Sequence, residues 1–159
     1  MHQWFLSYDG QQSGPFDHAT AVARWSPTGW SGALLAGPSG AGKSGLALRL
    51  LHLGWRLVGD DYVEVWASDG SLYARAPERI SGLIEARGVG LVPARCLELA
   101  RVALHLEGRD GEPDRMPQAA SKALCGLSIP SLALDFHHPS APAKVARALS
   151  ALGQRSRLS

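Results

Sequence analysis

The chain has 159 residues, of which 45% are hydrophobic and 19% charged, with a formal net charge of +2. That size and apolar content suit one domain over residues 1–159, with a core in 16–152 able to fold alone. The small charge and the lack of aromatic–basic interleaving argue against nucleic acid, and no run approaches the ~18 apolar residues of a membrane span. Residues 1–17 carry no signal-peptide pattern, so a cytoplasmic protein is expected.

In chain order, Ala19 to Trp25 alternates small or apolar residues with polar ones and predicts a strand. Pro27-Thr28-Gly29 is a turn, and the apolar run 31–36 is the next strand. Residues 44–53 have helical periodicity, with Gly54 as the expected C-cap. Residues 55–58 then form a strand that ends in Gly59-Asp60-Asp61. Asp69-Gly70 predicts a two-residue turn joining strands 62–67 and 71–76. Leu83 to Val92 is apolar but interrupted by Glu85, Arg87, Gly88 and Gly90. Further strands are expected at 101–106 and 131–134, separated by a polar, Gly- and Pro-containing segment, 107–122, read as a mobile surface loop. A helix over 143–152 closes the domain, and 154–159 reads as a frayed polar tail. Cys96 and Cys125 lack metal or redox spacing and are expected to be reduced core thiols. The predicted class is α/β, rich in strands and not strictly alternating.

The strongest signal lies between the second strand and the first helix. Gly37-Pro38-Ser39-Gly40-Ala41-Gly42-Lys43-Ser44 is a complete G-x-x-x-x-G-K-[ST] loop. Its glycines let the backbone curl round an anion with N–H groups aimed inward, and the helix N-terminus adds positive potential. Lys43 is placed to reach the terminal phosphates of a nucleoside triphosphate, and Ser44 to ligate magnesium. Asp60 and Asp61 follow on the next strand, where phosphate-loop proteins often deliver a carboxylate to the metal or the attacking group. Adjacent strand residues point to opposite faces, so one of the pair would face the γ-phosphate and the other brace it, unless both belong to a solvated turn.

Glu85 and Arg87 put an acid and a base into an apolar stretch, where unpaired charge is costly. Either they form a structural ion pair, or Glu85 ligates magnesium and Arg87 contacts phosphate. His18, His137, His138 and Arg115 have no pattern that singles them out, and the His137-His138 pair lacks a third metal ligand.

The order of these pieces resembles the catalytic domain of HPr kinase/phosphorylase, over roughly residues 16–150. The resemblance is carried by the phosphate loop, Leu46-Ala-Leu48, Gly54-x-Arg56-Leu-Val58, Asp60-Asp61 and Leu83-Ile-Glu-Ala-Arg-Gly-Val-Gly90. It implies a phosphate-loop-containing, strand-rich core similar to phosphoenolpyruvate carboxykinase. It also implies a serine kinase that uses ATP and Mg²⁺ to phosphorylate HPr, the phosphocarrier of a phosphotransferase system, within a hexamer. By the same resemblance Asp61 is the general base, Lys43 holds the β- and γ-phosphates, and Ser44 and Glu85, with Asp60 beside them, serve the metal. His18 resembles a histidine that supports the catalytic carboxylate, and Arg115 an arginine that neutralises transferring charge.

Three departures accompany the resemblance. Gly45 stands where the family has an acidic residue, and the short, single-domain form without an amino-terminal regulatory domain is expected. Ile129-Pro130 is followed by Ser131-Leu-Ala-Leu-Asp135 in place of an arginine-containing loop, which favours kinase over phosphorylase activity on phosphoserine-HPr. Two other readings remain open: a kinase of the same family with another protein or small hydroxyl acceptor, and a non-catalytic nucleotide sensor.

Overall fold

Strand β4 (Gly29–Ala36) is apolar at every position from Ala33 to Ala36 because both of its faces are covered. Ala33 and Leu35 enter one buried cluster and Leu34 the opposite one, as strand alternation requires. The computed structural model describes residues 5–6, 12–111 and 113–158. Around β4 the chain runs β1 (Phe5–Leu6), β2 (Gln12–Asp17) and β3 (Ala19–Ser26) before it, then α1 (Lys43–His52), β5 (Arg56–Gly59), β6 (Tyr62–Ser68) and β7 (Ser71–Arg75). β8 (Leu83–Ala86), β9 (Gly90–Pro93), β10 (Ala100–Gly108), β11 (Ala120–Leu124), β12 (Leu127–Leu134) and α2 (Ala141–Leu158) follow.

A single ten-stranded sheet organises these elements, in the order β1-β2-β6-β7-β10-β4-β3-β5, with β12 added to β10 and β11 to β12. β8 and β9 form a separate antiparallel hairpin. β10 changes partners along one edge. Ala100–Val102 pair antiparallel with β7, whereas His105–Gly108 pair parallel with β12. Its other edge is bonded parallel to β4. Both helices cover one face through Leu46, Leu50, Val145 and Leu149, which pack with Leu35, Leu57, Leu104 and Phe136. The other face buries Leu34, Val58, Val63, Val65, Leu72 and Val102.

Most predicted elements are present, and the Asp69-Gly70 turn has the two positive φ angles, 49° and 75°, that such a hairpin turn demands. Five readings are corrected. Ala19 to Ala23 do not alternate in exposure, because β3 lies between β4 and β5 and is covered on both faces. Residues 83–93 form a hairpin in which Arg87-Gly88-Val89 make the bend. The polar segment is shorter than expected, since β11 already begins at Ala120 and pairs with β12. The expected frayed tail instead extends α2 to Leu158. Of the two cysteines, both free, Cys96 is exposed and is not a core thiol, while Cys125 is half-buried.

Candidate functional site

The phosphate loop leaves the C-terminal end of β4, at the edge where open α/β sheets bind ligands. Gly42 holds φ 93° at the N-cap of α1, a left-handed conformation suited to glycine. A Cβ there would also meet the His137 ring at 2.9 Å. Ala41 N–H donates to Pro38 O, and the next loop or helix N–H with a backbone acceptor is that of Leu46, on Gly42 O. The N–H groups of residues 42–45 thus remain available to an anion. The first turn of α1 contains no acidic residue to compete for them.

Lys43 is buried, and its Nζ donates to Gly37 O at 2.7 Å and to Pro38 O at 2.9 Å. No carboxylate pairs with it among the described residues, so a buried ammonium is held by carbonyl dipoles alone. Such a charge favours a bound anion. Ser44 Oγ donates to Asp60 Oδ1 at 2.7 Å. The same Oδ1 accepts from Thr20 Oγ1 at 2.8 Å, and Oδ2 accepts from the Glu85 N–H at 2.9 Å. The buried Asp60 carboxylate therefore ties together α1, β3 and β8.

Asp61 differs in every respect. It is exposed, has φ 60°, and directs its carboxylate to the cleft that the loop overlooks. The pair faces two ways, as expected, but through a left-handed bend after β5 and not through strand alternation. His18 N–H donates to Asp61 O at 2.8 Å, and His18 Nδ1 lies 3.7 Å from Asp61 Oδ1.

The cleft has a volume of about 270 Å³. Lys43, Ser44, Asp61, Glu85, Arg87 and His137 contribute to its lining. Glu85 and Arg87 do not pair with each other among the described residues, so the structural ion pair considered for them is absent. Both are exposed at the hairpin β8–β9. Oxygen donors at Ser44 and Glu85, with Asp60 behind them, are the chemistry a hard divalent cation takes, and the acid-free loop fits a triphosphate. Arg115 is exposed in the 109–119 connection and is not brought to the cleft.

His137 was not singled out by the sequence. Its Nε2 donates to Gly40 O at 2.9 Å, and its backbone N–H is held by Asp135 Oδ1 at 2.9 Å. Arg49 of α1 donates to the carbonyls of Phe136 and His138, which fixes the turn that presents the ring. The only sequence signal was the apolar strand β12 pointing into Asp135-Phe136-His137, since a strand parallel to β10 must also end near the loop.

Residues 29–97 match the family model of the HPr Serine kinase C-terminal domain. Over those residues this chain is similar in sequence to that domain. Among curated relatives, the HPr kinase/phosphorylase of Clostridium perfringens strain 13 is 38% identical over 96 residues, which are 54% of this chain and 31% of that protein. The HPr kinase/phosphorylase of Azoarcus sp. strain BH72 is 38% identical over 117 residues, 65% of this chain and 37% of the relative. The matched region thus spans about a third of these relatives' length. A solved structure of the Hpr(Ser) kinase/phosphatase from Coxiella burnetii superposes with a TM-score of 0.67 at 21% identity, covering 91% of this chain and 90% of that one. The strand-rich α/β fold expected from the sequence is the fold of that structure. No described helix is long and apolar enough to cross a membrane.

Proposed function

We propose that this chain is an ATP- and Mg²⁺-dependent kinase that phosphorylates a serine of HPr. The observation that carries the reading is the pairing of two groups across one cleft. A buried, acid-free Lys43 ammonium lies under the phosphate loop, and an exposed Asp61 carboxylate lies opposite. The family match over residues 29–97 supports the acceptor.

Bound Mg-ATP supplies the γ-phosphoryl group and the charge screening that lets a hydroxyl approach it. Residues Gly37, Pro38, Ser39, Gly40, Ala41 and Gly42 shape the cradle, and the N–H groups of residues 42–45 hold its anionic oxygens. Lys43 swings from the carbonyls of Gly37 and Pro38 to the β- and γ-phosphates. Ser44 and Glu85 would hold the metal, and Asp60 orients Ser44. Asp61 accepts the proton of the acceptor serine as its oxygen bonds to phosphorus and the bond to the ADP oxygen breaks. A positioned base of this kind contributes about 10²–10⁴-fold. His18 keeps the Asp61 carboxylate turned to the cleft, Arg87 neutralises charge on the transferred group, and Arg115 joins it if the 109–119 connection moves inward. The chain acts mainly as a kinase, as the arginine-free sequence after Ile129-Pro130 suggests.

The test is incubation with HPr, Mg²⁺ and γ-labelled ATP, with Lys43→Ala as the blank. Label on an HPr serine, absent with the variant, is the expected result. ATP binding without transfer would move the assignment to another acceptor or to nucleotide sensing. Size measurement in solution tests the expected hexamer.

A further inference from the structure

The pairing of β3 with β5 stops just short of the two aspartates. Its last rung joins Ala21 to Gly59, so the next two rungs would have set Asp60 opposite Thr20 and Asp61 opposite Ala19. The side chain of Thr20 takes over where that ladder ends. Thr20 is fully buried, and no other serine or threonine among the described residues is buried to that degree. A hydroxyl in such a place is costly unless it is bonded.

This hydroxyl is used twice. Thr20 Oγ1 donates to Asp60 Oδ1 at 2.8 Å and accepts the Asp61 N–H over a longer 3.4 Å. An amide N–H only donates and an ionised carboxylate only accepts, so the relay has one direction, from Asp61 through Thr20 to Asp60. Two consecutive aspartates with opposite surroundings are thus joined through one oxygen. The same Asp60 Oδ1 accepts from Ser44, on the cation side of the cleft.

Asp61 has a conformation that needs holding. The Tyr62 N–H donates to Asp60 O at 2.7 Å across it, and its φ is 60°. Those two features make a γ-turn of the rare, strained kind, centred on Asp61. The His18 N–H holds the Asp61 carbonyl at 2.8 Å, and Thr20 holds the amide on the other side. We propose that Thr20 is a positioning residue for phosphoryl transfer, whose hydroxyl pins Asp61 in this turn and sets its carboxylate against Asp60 and Ser44. The proposal rests on the reading of Asp61 as the base. Thr20 does not line the cleft and acts only through the two aspartates. Loss of its hydroxyl therefore loosens the base and leaves the phosphate loop in place.

Valine and serine separate the hydroxyl from the packing. Thr20→Val keeps the branched shape and loses the hydroxyl, whereas Thr20→Ser keeps the hydroxyl and loses a buried methyl. Two readouts are compared in the whole chain: amide exchange at Asp61 without nucleotide, and single-turnover transfer to HPr at saturating Mg-ATP. Thr20→Val is expected to speed Asp61 exchange and to slow transfer by about tenfold each, with a smaller change in the Kd for Mg-nucleotide. Thr20→Ser should recover most of both although its urea midpoint falls. In an Asp61→Asn background, Thr20→Val should slow transfer by less than about twofold more, since the group it positions is already gone. Unchanged Asp61 exchange in Thr20→Val overturns the proposal, as does a transfer loss that follows the methyl, or equal losses of transfer and nucleotide affinity. No label on HPr from the parent chain is a failure of the acceptor assignment, and Asp61 exchange in the two variants then decides whether Thr20 holds that residue.

Discussion

His18 and Asp61 are two left-handed residues that face each other across a strand pair. Their φ angles are 58° and 60°, and the His18 N–H bonds to the Asp61 carbonyl at 2.8 Å. The reason lies in the pairing on either side. β2 pairs with β6 as far as Asp17 and Tyr62, and β3 pairs with β5 beyond the bend. Two adjacent strands therefore turn the same corner together, with one residue each at the corner. Left-handed backbone at a residue with a side chain is strained, and such strain concentrates at functional sites. Here it lifts the Asp61 carboxylate out of the sheet and into the cleft.

Asp61→Asn is expected to lower phosphoryl transfer to HPr by about 10²–10⁴-fold while changing ATP affinity little. Asparagine tolerates the left-handed conformation, so stability should move by about 0.5 kcal/mol or less at this exposed position. Comparing single-turnover transfer with nucleotide titration checks this. Equal losses in both would remove Asp61 from the role of base.

Asp60→Asn should behave in the opposite way. The amide nitrogen can replace only one carboxylate oxygen, and one of the Ser44, Thr20 and Glu85 donors then meets a donor. A loss of about 1–3 kcal/mol in urea unfolding is expected, with weakened Mg-nucleotide binding. An Asp60→Asn chain as stable as the parent would show that the carboxylate is not the tie between α1, β3 and β8.

Removing the His137 ring frees Gly40 O and opens space above Gly42. His137→Ala is therefore expected to weaken ATP binding several-fold, on the scale of one hydrogen bond lost at about 0.5–1.5 kcal/mol. Fluorescent-nucleotide titration reads it, and unchanged affinity would make the ring a spectator.

His105 sets a pH limit on stability. It is buried in β10, its Nδ1 pairs with Ser131 Oγ at 2.8 Å, and its Nε2 has no hydrogen-bond partner, with Glu107 Oε2 3.8 Å away. Burial lowers its pKa below the ordinary value, against the opposing pull of Glu107. The unfolded chain then binds a proton at higher pH than the folded one. Its contribution is therefore full above about pH 6.5 and is lost as pH falls below that value towards the folded pKa. Urea midpoints from pH 8 to 5 should fall for the parent and fall less for His105→Gln. Parallel curves would place the titration elsewhere.

Gly45 lies in the first turn of α1, and a Cβ there would meet nothing within 4 Å. Gly45→Ala should therefore stabilise the fold by about 0.5–1 kcal/mol through helix propensity alone. Thermal unfolding measures it. A lower Tm would show that the loop needs glycine at this position.

Local chemistry made much of this legible. The loop, the helix behind it, the Asp-Gly turn and the run of β4 each follow from spacing within about ten residues. What escaped depends on distant partners. The constant burial of β3 comes from neighbours on both edges and both faces, which no alternation reveals. His137 reaches Gly40 across 97 positions, and nothing beside it in the sequence announces that contact. The hairpin β8–β9 was masked by its charges, which bend away from the sheet and line the cleft instead.

The loop is coded early, but its support is coded late. Gly108 lies at the end of β10, where an added Cβ would strike Ala41 and Phe136, and His137 comes later still. The pairing of β3 with β4 closes quickly because the strands are adjacent in sequence, whereas β4 with β10 and β10 with β12 must wait for distant chain to arrive. On the ribosome, a nascent chain that has emerged only through the phosphate motif would hold the motif without its floor. A product that ends before the final strand is therefore expected to lack the side chains that support the loop.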